Sequence, residues 1–126
     1  MQMRSSNSAA ARFLDRDAVL ESLRLIAEQV VRHRPRVMGI ALFGSLARGD
    51  YSRRSDADIL VCLSFTDEER IADRIPPLLR LFLDAPIPVD ILPLTASEIR
   101  RRLETPSPFW KRISHEAIIL AGTLPL

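Results

Sequence analysis

Asp56 and Asp58 stand two residues apart in the run 56–64 (DADILVCLS), which reads as a strand. Alternation along a strand sends both carboxylates to one face, with Cα atoms roughly 6.5–7 Å apart, and sends Ala57, Ile59 and Val61 to the other. Asp90 lies between Val89 and Ile91 in another apolar run, 87–92 (IPVDIL), so it too leaves the face opposite the core residues. If these strands are neighbours, three carboxylates meet at one spot. Such a cluster repels itself unless a cation is present. Hard oxygen donors select Mg²⁺ or Mn²⁺, and two ions roughly 3.5–4 Å apart form the clamp used in phosphoryl and nucleotidyl transfer. The other reading of a lone Asp-x-Asp is the solvent face of an edge strand, and the residues upstream weigh against it.

Upstream, Phe43 closes the apolar run 37–43 (VMGIALF), and Gly44-Ser45 follows at once. Leu46, Ala47, Arg48, Gly49 and Asp50 then suit one short helical turn. A strand that breaks at glycine into a helix N-terminus aims backbone N–H groups at one point, a geometry that binds phosphate. Gly44 lets the backbone come close to an anion. The Ser45 hydroxyl adds a hydrogen bond, and Arg48, three residues on, faces the same side and neutralises a further oxygen. A plain tight turn would also explain Gly-Ser. No Gly-Lys-Ser/Thr P-loop is present.

The elements that position these residues follow from periodicity. Leu20, Leu23, Ala27, Val30 and Val31 recur at helical spacing between residues 17 and 33, and Pro35 closes that helix. Residues 37–43, 56–64 and 87–92 read as strands, with Pro86 and Pro88 at the start of the last, where ladder donors are not needed. Capping boxes at Thr66/Glu69 and Thr95/Glu98 open two more helices. Pro76-Pro77 should kink the first of these or split it in two. Residues 107–115 read as a last helix and 117–120 as a short strand. The expected class is α+β (a two-layer α/β arrangement), a small mixed sheet with helices packed on one side.

Composition narrows the function. The chain has 126 residues and 47% apolar content, enough for one domain. Residues 1–12 are small and polar, superficially like a transit peptide, and are expected to be a flexible tail; 13–126 are expected to form the domain. No apolar run approaches the ~20 residues needed to cross a membrane. One cysteine, Cys62, and two histidines, His33 and His115, exclude a Cys/His metal site, and the lone thiol suits a cytoplasmic chain. A net charge of +2 argues against direct nucleic-acid binding. Lys111 is the only lysine beside seventeen arginines, a bias toward phosphate and carboxylate partners that a GC-rich genome would equally produce. Trp110, Phe109 and Phe82 read as core or partner-facing aromatics. Arg100-Arg101-Arg102 reads as a solvated face, and Tyr51 as a loop residue with a stacking role as the sharper alternative.

Gly44-Ser45-Leu46-Ala47-Arg48-Gly49 followed by Ser55-Asp56-Ala57-Asp58-Ile59-Leu60-Val61 resembles the GSxARG…SDxDLxV signature of the DNA polymerase beta-like nucleotidyltransferase superfamily. The similarity covers about residues 35–120, with Ile59 a conservative departure, and the short length resembles the minimal nucleotidyltransferases. The resemblance implies a polymerase beta-like nucleotidyltransferase fold. It implies that Gly44 and Ser45 hold the triphosphate of ATP, with Arg48 steadying the phosphates or bracing the turn. Asp56, Asp58 and Asp90 would bind two Mg²⁺ ions, and Asp90 would help to deprotonate the acceptor hydroxyl. Minimal nucleotidyltransferases are commonly paired with a helical HEPN protein in toxin–antitoxin modules, as antitoxins that transfer AMP to a HEPN tyrosine. A binding module that silences its partner by occlusion alone, and a transferase acting on a small molecule or RNA, are the competing expectations.

Overall fold

The computed structural model describes residues 15–52 and 55–126, so the expected tail at 1–12 and the first residues of the expected domain lie outside the described residues. The elements in chain order are α1 (Arg16–His33), β1 (Val37–Phe43), α2 (Gly44–Arg48), β2 (Ala57–Leu63), α3 (Ile71–Leu79), a 3₁₀ turn (Arg80–Phe82), β3 (Val89–Thr95), α4 (Ala96–Glu104), α5 (Pro108–Glu116) and β4 (Ile118–Gly122). No described helix is long and apolar enough to cross a membrane.

The sheet is mixed, in the order β3-β2-β1-β4. β1 runs antiparallel to β2 and β4, while β2 and β3 run parallel with α3 in the connection between them. The central strands read as unbroken apolar runs because both faces are covered. Leu23, Ala27 and Val30 of α1 pack with Ile40, Leu42, Ile59, Val61 and Phe82 on one face. On the other, Ala41, Leu60, Cys62 and Leu94 pack against Ile99 of α4 and Trp110 and Ile113 of α5. The expected class holds, but the helices flank the sheet on two sides, not one. The 96–116 segment is amphipathic, and the alternate residues of β1 and β2 are apolar as well, so two faces need cover.

Three local expectations also change. β2 begins at Ala57, so Asp56 precedes the strand, and β3 spans Val89–Thr95 instead of 87–92. Pro93 fits inside β3 because that strand is at the sheet's edge. The Thr66/Glu69 signature does not open a helix: Thr66 Oγ1 accepts from the Glu68 amide at 3.2 Å in a local turn, and α3 starts at Ile71. α3 then runs through Pro76 and Pro77 as one element and tightens into the 3₁₀ turn.

What anchors α3 is Arg74, a buried arginine only 4% exposed. It donates to the carbonyls of Glu68 (2.8 Å), Glu69 (3.0 Å) and Pro93 (3.2 Å), and it makes a two-pronged pair with Glu98 at 2.7 and 3.1 Å. Glu98 is also the far half of the Thr95 capping box that opens α4, and that box forms as expected.

Candidate active site

One end of the sheet carries the chemistry. The C-terminus of β1 and the N-terminal ends of β2 and β3 meet there, since Phe43 pairs with Asp58 and Asp58 pairs in register with Asp90. Neighbouring strands are about 4.8 Å apart, so the two aspartates stand side by side. Both leave the sheet on the side covered by α4 and α5. Asp58 is half-buried and Asp90 exposed.

Gly44 is the residue the site cannot change. Its φ of 79° is in the left-handed region, and a Cβ built there would overlap the Asp58 carboxylate. The chain can therefore turn from strand into helix directly against an acid only with glycine at this position. α2 ends at Gly49, whose φ of 91° and N–H bond to the Ser45 carbonyl at 2.9 Å close the turn. Its last carbonyls do not dangle: Arg16 of α1 donates to Leu46 O at 2.9 Å and Ala47 O at 3.0 Å. The Ser45 hydroxyl donates to Ser55 Oγ at 3.4 Å, which ties the turn to the loop leading into β2.

Gly44, Asp58 and Asp90 line one cleft of about 380 Å³, together with Phe43, Arg48 and the α5 residues Phe109, Arg112, Ile113 and Glu116. Arg48 spans it, donating to Asp50 at 3.1 Å and to Glu116 at 3.3 Å. Desolvation, and then the charges of Asp90 and Asp56, push the Asp58 carboxyl above its ordinary range, while Arg48 pulls it down.

The structure thus brings Gly44, Arg48, Asp58 and Asp90 to one place. Asp56, exposed and just ahead of β2, reaches the site through its charge on Asp58 and does not line the cleft. Among the described residues no three His, Cys, Asp or Glu side chains form a ready metal cage. An acid pair with open space beside it still suits Mg²⁺, which typically takes one or two protein carboxylates and completes its shell with water and substrate phosphates.

Tyr51 packs against the α1 side of the core and is not in the cleft lining. Phe43 and Phe109 are aromatics that are: Phe109, 41% exposed, meets Phe43 and Trp110 edge-on at 5.9 and 5.8 Å. Glu116, Arg112, Arg16 and Arg74 escaped the sequence reading, because each acquires its meaning from residues distant along the chain. The one available signal was the spacing 109, 112, 113, 116, which puts one face of α5 on the cleft.

Comparison with known proteins agrees with this geometry. Residues 23–120 match the nucleotidyltransferase domain family. Among solved structures, a candidate nucleotidyltransferase from Sulfolobus solfataricus superimposes with a TM-score of 0.60 at 22% identity, covering 100% of both chains. A chain of the toxin-antitoxin MntA-HpeT, in a double aspartate-to-glutamate mutant, does so with a TM-score of 0.50 at 20% identity, over 87% of this chain and 75% of that one. These are likenesses of fold, and no curated protein matches the sequence. With the family model spanning well over half its length, the chain belongs to the nucleotidyltransferase domain family.

Proposed function

We propose that this chain is a minimal nucleotidyltransferase that transfers AMP from ATP to a hydroxyl on a partner protein, a tyrosine of a HEPN-type toxin, and so acts as that toxin's antitoxin. The observation that carries the transferase reading is the register pairing of Asp58 with Asp90 directly against the positive-φ Gly44 turn. The double motif around Gly44 and Asp58 supports it, and the fold shared with a toxin–antitoxin chain supports the choice of partner.

In this reading Gly44 and the Ser45 hydroxyl cradle the polyphosphate. Asp58 and Asp90 hold Mg²⁺, and Asp56 adds negative charge behind them. The bound ions supply neutralisation of the charge that develops on the phosphoryl oxygens. The acceptor oxygen bonds to the α-phosphorus as the bond to pyrophosphate breaks, and Asp90, the exposed member of the pair, takes the hydroxyl proton. Arg48 braces the turn against α5, since Asp50 and Glu116 already occupy its guanidinium.

The test is incubation of the chain with its candidate HEPN-type partner, α-labelled ATP and Mg²⁺. The expected result is label on a partner tyrosine, lost when Asp58→Asn and Asp90→Asn are combined. Neutralisation of the partner without label, undiminished in that double variant, would replace catalysis with occlusion.

A further inference from the structure

Among the described residues, the cleft contains one cation that nothing else uses. Arg48 is committed to Asp50 and Glu116, and Arg16 to the end of α2. Arg112 lines the same cleft from α5, one turn after Phe109 and one turn before Glu116. It is exposed, and among the described residues it has no ion-pair or hydrogen-bond partner. The arginine whose charge lowers the Asp58 carboxyl is Arg48.

We propose that Arg112 binds the phosphates of the nucleotide beyond the α-phosphate, as the cationic wall facing the Gly44 turn across the cleft; this rests on the transferase reading above. A nucleoside triphosphate brings more negative charge than a divalent cation on two carboxylates offsets, so the distal phosphates need a separate partner. Arginine's planar fork suits that task, pairing with two oxygens of one phosphate. The position on α5 suits it too. Ile113 is buried in the core beneath and holds the helix in place, while residue 112 is presented to the cleft. An unpaired guanidinium has no bond to break before it engages a ligand.

Displacement of a fluorescent non-hydrolysable ATP analogue, in Mg²⁺, by inorganic triphosphate provides the test. Arg112→Ala should weaken both the analogue and triphosphate by roughly tenfold, the scale of one charge-assisted phosphate contact. Arg112→Lys should recover part of the loss, and the melting temperature should stay unchanged. Unchanged affinity in Arg112→Ala overturns the proposal. So does a loss confined to the analogue, which would put the contact at the base or sugar, and so does a wild-type chain whose analogue triphosphate fails to displace. A wild-type chain that does not bind the analogue at all removes the transferase reading itself, and the role of Arg112 with it.

Discussion

Asp58 sits half-buried with the charges of Asp90 and Asp56 bearing on it, and its carboxyl titrates above the ordinary range. The sign follows directly. A carboxyl that is harder to ionise in the folded chain than in the unfolded one lowers stability once pH exceeds its unfolded value. Near neutral pH, Asp58→Asn should therefore melt at or above the wild-type temperature, while nucleotidyl transfer falls by about 10²-fold or more. Thermal unfolding and a labelled-transfer assay check the two halves, and a marked drop in melting temperature would contradict the first. Stability and activity pull apart at this residue, as expected where a fold concentrates like charge for a ligand. Much of this was legible from one dimension. The Asp-x-Asp spacing, the aspartate between Val89 and Ile91, and the glycine after Phe43 are local patterns with local causes. Glu116 and Arg112 were not legible, since their helical spacing puts them on one face of α5 without showing that this face meets the cleft.

Among the elements, the α3–β3–α4 unit depends on a single guanidinium. Arg74 pulls the Glu98 carboxyl from its ordinary 4.5 to about 2, with the Thr95 capping contacts adding to the effect. A depressed carboxyl contributes stability that is present above the unfolded value and is lost as pH falls through the folded one. Glu98→Gln should accordingly flatten the acid limb of the stability curve between about pH 4.5 and about pH 2, as read by urea unfolding across that range. Arg74→Met should cost roughly 3–5 kcal/mol, because it strips Glu98 of its paired cation and leaves the Glu68, Glu69 and Pro93 carbonyls without their Arg74 donor. The same unit shows why capping signatures divide. Thr95 and Glu98 form their reciprocal box because Arg74 holds the glutamate in place, whereas Thr66 and Glu69 precede a helix whose start is set by Arg74's bonds to the Glu68 and Glu69 carbonyls. Pro76 and Pro77 were expected to break a helix, and tertiary anchoring outweighed the two missing donors.

For the molecule as a whole, the sheet presents two apolar faces and one polar end. α1 covers one face, α4 and α5 the other, and the acids collect where β1 stops and β2 and β3 begin. The domain thus concentrates like charge at that end, which Arg48 only partly offsets. Millimolar Mg²⁺ should raise the melting temperature of the wild-type chain by mass action and leave that of the Asp58→Asn, Asp90→Asn double variant unmoved. A wild-type chain indifferent to Mg²⁺ would count against Asp58 and Asp90 as its ligands. The number of layers was the global feature hardest to read in advance, because a short apolar strand does not reveal how many of its faces will be covered.

The contact between Arg48 and Glu116 joins residues 68 positions apart. On a ribosome, the glycine bend and both aspartate strands are translated well before the helix that bears Glu116. A nascent chain can thus hold every acid of the motif and still lack the far side of its cleft until residues 108–116 have emerged and Arg48 can pair with Glu116.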